Sequence, residues 1–235
     1  MSDSLHSFPS LNDLHLTNMK IHRLEQTVPH INLKTLSIGG IWEVSHPWAD
    51  ATTDTTMIAE WFPNLTHLIL DCDLRISTRP RVIVLHRVQS LSIRSSAITE
   101  IRELTSRIQF PKLVMITNIS KNIKGLVPIA QEWGKRVETL ELSGIIPYYG
   151  SNQHLYKILG NHGTLPRLSR LVFPSTIQMG MIDLALVTNV LVRRIDLAAS
   201  DPGQFDPVKT VTLPTTYKSD PNLEHLKRHV AVQWQ

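Results

Sequence analysis

The sequence predicts an α/β fold: a repeat solenoid with a parallel sheet on its concave side and helices on its convex side. Three observations predict it. An apolar frame of the form L-x-x-L-x-L returns along most of the 235 residues. A small residue follows each copy at a fixed distance, and a proline stands two residues before half of the copies.

Eight copies of the frame start at Leu11, Leu33, Leu65, Val88, Leu113, Val137, Leu168 and Val192. Positions 1, 4 and 6 are apolar throughout except for Asn118 in the fifth copy. The starts are 22, 32, 23, 25, 24, 31 and 24 residues apart. Apart from two longer units, this is close to the roughly 20–29-residue period of leucine-rich repeats, which stack into a horseshoe. In a chain that is 42% hydrophobic such triples also arise by chance, so the argument rests on the other two columns.

Position 8 reads Asn18, Gly40, Cys72, Ser95, Ser120, Gly144, Ser175 and Ala199, small in every copy. Side chains alternate faces along a strand, so positions 4, 6 and 8 share a side. The small residue is therefore expected inside, where the chain turns beneath the next repeat. The prolines Pro9, Pro63, Pro111 and Pro166 push the residue before them toward extended geometry and end a helix just before a strand begins. The segments upstream have helical spacing. Met57, Ile58, Trp61 and Phe62 follow a cap at Thr53 or Asp54, and Ile101, Leu104, Ile108 and then Leu184, Val187, Leu191 repeat the pattern. Each unit thus reads strand, loop, helix. No single unit can bury its own apolar stripe, but stacked neighbours share one core.

Residues 1–200 are read as this solenoid of about eight irregular repeats. Beyond residue 200, prolines at 202, 207, 214 and 221 divide the chain into short pieces. Val208/Val211/Leu213 makes a ninth, degenerate frame, and Leu223, Leu226 and Val230 suit a last amphipathic helix. Residues 201–235 are therefore expected to form a C-terminal cap or tail.

Composition narrows the function classes. The lone Cys72 excludes an internal disulfide framework and a zinc ribbon, and no cofactor is expected. No stretch approaches the roughly 20 apolar residues of a membrane helix, and the first residues lack the pattern of a secretory signal. An intracellular location, cytoplasmic or nuclear, with no membrane partner, is the expectation. Residues 1–75 carry 4 basic and 9 acidic side chains, whereas residues 76–235 carry 20 and 11. The chain is dipolar rather than polycationic.

The Phe-Pro-x-Leu-x-x-Leu-x-Leu units at Phe8, Phe62 and Phe110 resemble the irregular leucine-rich repeats of F-box proteins, fungal ones especially, over about residues 8–200. The resemblance implies repeats that recognise a protein substrate, with an F-box near the N-terminus docking them to a cullin-type ubiquitin ligase. Only about ten residues precede the first repeat, too few for an F-box. The chain is expected to be either a repeat-only relative or the C-terminal part of a longer product, and ligase subunits are expected as partners only if an F-box lies upstream. Met19, Ile41, Asp73 and Ser96 also replace the Asn common at position 9 of such repeats.

In a solenoid of this kind positions 3, 5 and 7 face outward from the concave sheet and form ladders across repeats. They bring His67, Ile69, Asp71, Arg94, Met115, Glu141, Arg170 and Arg194 to one face, with Ile119 beside Met115. The mixture of short polar and apolar groups suits a protein or peptide partner. Asp71 and Arg94 share a column on adjacent strands, roughly 5 Å apart, and are expected to pair. Arg170, Arg194, Glu141 and Asp196 are expected to form a local salt-bridge cluster. The two long repeats add residues on the rim, Trp42, His46 and Trp48 in one and Tyr148 and Tyr149 in the other. Trp and Tyr are enriched in binding hot spots, and about 20 Å of sheet would separate the two loops.

The alternatives are a hydrolase and a basic nucleic-acid-binding repeat protein. For the first, His67 would have to bridge Ser90 and Asp71 on a flat strand surface. For the second, Arg79, Arg81, Arg87, Arg94, Arg102 and Arg107 crowd one region but fall on different faces, with no aromatic platform. His225 and His229 have a metal-like spacing without a third ligand. The expectation is a non-catalytic binding module with neither metal nor nucleic acid, serving as the substrate-recognition part of a ligase adaptor where the resemblance extends to function. Leu140→Asp, a charge at frame position 4, is expected to abolish cooperative thermal unfolding of the chain; a wild-type melting curve for this variant would refute the frame.

Overall fold

A computed structural model of the chain describes residues 10–17, 29–39, 55–71, 82–93, 105–119, 123–143, 151–161, 163–175, 177 and 182–235. Nine strands form one sheet whose order follows the chain. They are β1 (Asp13–Thr17), β2 (Thr35–Gly39), β3 (His67–Asp71), β5 (Ser90–Ile93), β7 (Met115–Asn118), β8 (Thr139–Leu142), β9 (Arg170–Val172), β10 (Thr210–Leu213) and β11 (Ala231–Trp234). Every pairing is parallel. Two short strands, β4 (Ile83–Val84) and β6 (Ile108–Gln109), pair separately, also in parallel.

The register places equal frame positions side by side: Leu68 lies between Leu36 and Leu91, and Ile116 between Leu91 and Leu140. One carbonyl at the foot of each strand sets this register. Asn12 O accepts from the N–H groups of Lys34 and Thr35, Lys34 O from Thr66 and His67, and Thr66 O from Gln89 and Ser90. Gln89, Val114, Glu138 and Ser169 repeat the arrangement toward β10. Frame position 2 thus holds two amides of the following unit every time.

The prolines do more than stop helices. Phe62 O accepts from Leu65 N–H at 3.1 Å, Phe110 O from Leu113 at 3.2 Å and Leu165 O from Leu168 at 3.1 Å. Each proline therefore sits second in a four-residue turn, where its fixed φ is already suitable. Before Val137, which has no proline, the 3₁₀ turn Gly134–Arg136 plays the same part, with Gly134 O accepting from Val137 N–H.

Frame positions 1, 4 and 6 supply the core. Leu33, Leu36, Leu91, Leu113, Leu140 and Leu171 are fully buried, each worth roughly 1.5–3 kcal/mol relative to an exposed side chain. Asn118, the one polar frame residue, is buried with them. The helices whose full ranges are described are α1 (Thr55–Trp61), α2 (Leu126–Trp133), α3 (Ser151–Leu159), α4 (Leu184–Ser200) and α5 (Leu223–Lys227), and residues 105–107 are helical as well. Ile58, Trp61 and Phe62 pack inward as the spacing implied. Ile108 does not belong to a helix: it lies in β6, where its carbonyl accepts the indole N–H of Trp133 at 2.7 Å. The Phe110 ring meets Trp133 edge to face at 4.7 Å.

The eighth frame is corrected. Val192, Ile195 and Leu197 lie in α4, a 17-residue helix whose start is capped by Asp183, its Oδ1 accepting from Leu186 N–H at 3.0 Å. The strand after β9 is instead β10, which aligns Val211 with Leu171. The sheet thus continues past residue 200, and the short α5 leads into its last strand, β11. The inward column of small residues is also corrected where it can be seen. Ser175 and Ala199 are both exposed, because β9 ends at Val172 and Ala199 is helical; its six other members lie outside the described residues.

Arg194, expected on the concave face, is fully buried in α4. Its Nε donates to Asp206 O at 3.0 Å, Nη1 to Leu159 O at 3.1 Å and Nη2 to Leu165 O at 2.6 Å, and the guanidinium lies 4.3 Å from the centre of the Phe205 ring. Burial lowers its pKa to about 10, partly countered by the Asp206 carboxylate, so it stays protonated at neutral pH. Because the folded value lies below the unfolded one, any titration of this group is confined to pH above about 10.

Two outcomes follow. Arg194→Met keeps much of the volume but takes this donor from the carbonyls of Leu159, Leu165, Leu168 and Asp206, of which Leu165 O keeps the Leu168 N–H. At about 1–3 kcal/mol for each buried group left unpaired, the variant is expected to lose roughly 3 kcal/mol, or about 6–12 °C of melting temperature. A scanning-calorimetry trace superimposable on the wild type would remove this role. His154 in α3 has its pKa lowered by partial burial and then by Lys157 and Lys124. Its imidazole is expected to titrate below 6.5 by NMR, and Lys157→Gln to raise the midpoint. The unfolded chain takes up this proton first, so His154's share of stability is present above pH 6.5 and is lost as pH falls through the folded-state pKa.

Candidate functional site: the outer face of the sheet

Parallel, in-register strands convert single outward residues into rows. Along position 3 the order is Asp13, Thr35, His67, Ser90, Met115, Thr139, Arg170, Thr210 and Ala231. Along position 5, Ser37, Ile69, Ser92, Thr117, Glu141, Val172 and Thr212 follow from β2 to β10. The strands position these side chains simply by alternation, since each neighbour in the chain is a core residue pointing the other way.

Of the residues expected here, His67, Ile69, Asp71, Met115, Glu141 and Arg170 all stand on the outer face. His67 and Arg170 are exposed, and Ile69, Asp71, Met115 and Glu141 are half-buried. Ile69 and Met115 lie two strands apart in adjacent rows, with Ser92 beside Ile69 and Ser90 beside Met115. Ile119 follows β7 and is half-buried as well. Arg194 is not part of the face. Arg94 and the rim residues Trp42, His46, Trp48, Tyr148 and Tyr149 lie outside the described residues, as does the expected Asp71–Arg94 pair.

The expected salt-bridge cluster does not form. Arg194 and Asp196 are both in α4, and Glu141 instead accepts from the Ser143 hydroxyl at 2.6 Å. Arg170 makes no ion pair among the described residues, so the face carries a cation and a carboxylate that do not neutralise each other. His67 stands beside Ser90 in the row, but its Nδ1 is bonded to the Thr66 hydroxyl at 2.8 Å. Of the crowded arginines only Arg87 and Arg107 are described; Arg87 is exposed and Arg107 half-buried.

One feature of the face was not foreseen. It is covered locally at β9 and β10: Val172, Thr212 and Pro214 are buried, whereas Thr139, Glu141 and Ser143 are half-exposed on one side and Ala231 and Gln233 are exposed on the other. The Thr212 hydroxyl is buried with no hydrogen-bond partner. Nearby, Tyr217 is fully buried, its hydroxyl accepting from Ile182 N–H at 2.8 Å, and Gln235 donates from Nε2 to Phe173 O at 2.6 Å. The apolar Val172 in an outward column was the only sequence signal of this local cover.

The class that fold and face define is an α/β protein with a nine-stranded parallel sheet. Among the described residues, no helix is long and apolar enough to cross a membrane, and no three His, Cys, Asp or Glu side chains are grouped to hold a metal ion. Comparison of the sequence with protein-family models and with curated proteins finds no match.

Proposed function

We propose that the chain is a non-catalytic leucine-rich-repeat solenoid that binds a protein or peptide partner on the outer face of its sheet, with the loops after β2 and β8 as rims. The supporting observation is the in-register row structure between β2 and β9. It presents Ile69, Met115, Glu141 and Arg170 together on a surface where Arg170 makes no ion pair among the described residues. Apolar groups ringed by short polar ones, with an available arginine, are the composition of a protein-binding patch, where a few such residues dominate affinity. The resemblance to F-box repeat proteins adds the biological reading, selection of a protein for ubiquitination.

The test is a photo-crosslinking residue placed at Thr139, in the middle of the row, in cells expressing the full chain. A discrete crosslinked protein is expected, and Ile69→Glu with Met115→Glu should lower affinity for it at least tenfold while the melting temperature stays within a few degrees. Unchanged crosslinking in that double variant would exclude the face. The ligase reading further expects the crosslinked protein to be longer-lived when this chain is absent; an unchanged half-life would leave binding without that role.

A further inference from the structure

A second surface lies at the foot of β10 and β11 and reaches the outer face only at Ala231. The approach to β10 (Pro207–Lys209), the turn between α5 and β11 (Lys227–Ala231) and Ile195 of α4 enclose an open groove of about 540 Å³. Its apolar lining is aliphatic, including Ile195, Val208 and Val230, and its polar lining is entirely basic: Lys209, Lys227, Arg228 and His229. No carboxylate lines it. Lys227 is engaged by Glu224 at 2.7 Å, but that carboxylate is 75% exposed and outside the groove. Arg228 and Lys209 are exposed and make no ion pair among the described residues. The His229 ring meets His225 edge to face at 5.2 Å, and no third His, Cys, Asp or Glu joins them among the described residues.

From this geometry we infer that the groove docks an acidic peptide segment, its carboxylates on Lys209 and Arg228 and a small apolar contact at Ile195 and Ala231, since Val208 and Val230 are already buried in the core. The volume falls within the roughly 300–1,000 Å³ of ligand sites. Fixed cations on an open surface select an anion, and an arginine with no ion pair among the described residues adds bidentate recognition of a carboxylate. A nucleic acid fits less well, because no Phe, Tyr or Trp lines the groove to stack a base. None of the lining residues belongs to the rows between β2 and β9, so this site stands or falls independently of the proposed partner face.

The experiment is fluorescence anisotropy of the full chain with three labelled probes: a peptide of alternating Glu and Leu, its Gln and Leu counterpart, and an oligothymidine of equal charge. The Glu and Leu peptide is expected to bind, the Gln and Leu peptide at least tenfold more weakly and the oligothymidine more weakly still. Lys209→Glu with Arg228→Glu, both at exposed positions, should weaken the acidic peptide at least tenfold without moving the melting temperature. Ile195→Asp should do the same through the apolar contact, while Ile69→Glu with Met115→Glu should leave this binding unchanged. No binding of the acidic peptide, equal binding of the neutral peptide or the oligothymidine, or indifference to the charge reversals would each overturn the inference.

Discussion

The carbonyl at frame position 2 is the constraint on which the rest of the structure depends. By accepting two amides from the following strand it fixes both the spacing of successive units and their register. A slip of one residue would turn every Leu of the frame outward and every outward polar group into the core. The turn just upstream serves the same end. Whether made by Pro63, Pro111 or Pro166, or by Gly134–Arg136, it delivers an apolar residue at position 1 and so places the next carbonyl at the strand's foot.

The ladder continues from β9 to β10, where Ser169 O again holds two amides, but the connection between these strands contains α4, and a single buried cation ties that connection down. Arg194 ties the end of α3 at Leu159, the turn at Leu165 and the approach to β10 at Asp206 to one guanidinium. A cation at the end of a helix also meets the negative end of its dipole. Leu165 adopts a φ of 48°, which L-residues with a branched side chain rarely hold. Its carbonyl accepts from both Leu168 N–H and Arg194, and its side chain fills the space where a Cβ on Gly134 would come within 2.6 Å. The glycine of one turn and the arginine of a distant helix therefore stabilise the strained residue of another turn.

These details explain what the sequence disclosed. Period-2 alternation made the strands legible, because each of β1 to β9 in the main sheet has its frame apolar or, at Asn118, buried regardless. The same alternation placed His67, Ile69, Met115, Glu141 and Arg170 on one face without any tertiary information. The eighth frame misled because Val192/Ile195/Leu197 also satisfies helical spacing when extended back to Leu184, Val187 and Leu191. Asp183 is a good helix cap, and no proline or glycine turn stands before Val192. A turn immediately upstream, not the apolar triple, separates a frame that becomes a strand from one that does not. Arg194 could not be found from pattern at all: its value depends on four carbonyls brought together from 35 residues upstream to 12 downstream.

The dimensions of the open face limit what it can bind by itself. Six strands from β2 to β9, about 4.8 Å apart, span about 24 Å, and five residues of strand add about 16 Å in the other direction. That is on the order of 400 Å², half of the roughly 800 Å² that each partner contributes to a stable protein complex. The burial of Val172, Thr212 and Pro214 interrupts the surface at β9 and β10. A folded partner would therefore need contacts beyond the face, whereas an extended peptide crossing the rows could be held by the face alone. The face and the basic groove then divide by chemistry. The first offers shape and a few apolar contacts with charges of both signs, and the second offers basic side chains with little exposed apolar surface, so a single ligand would not satisfy both.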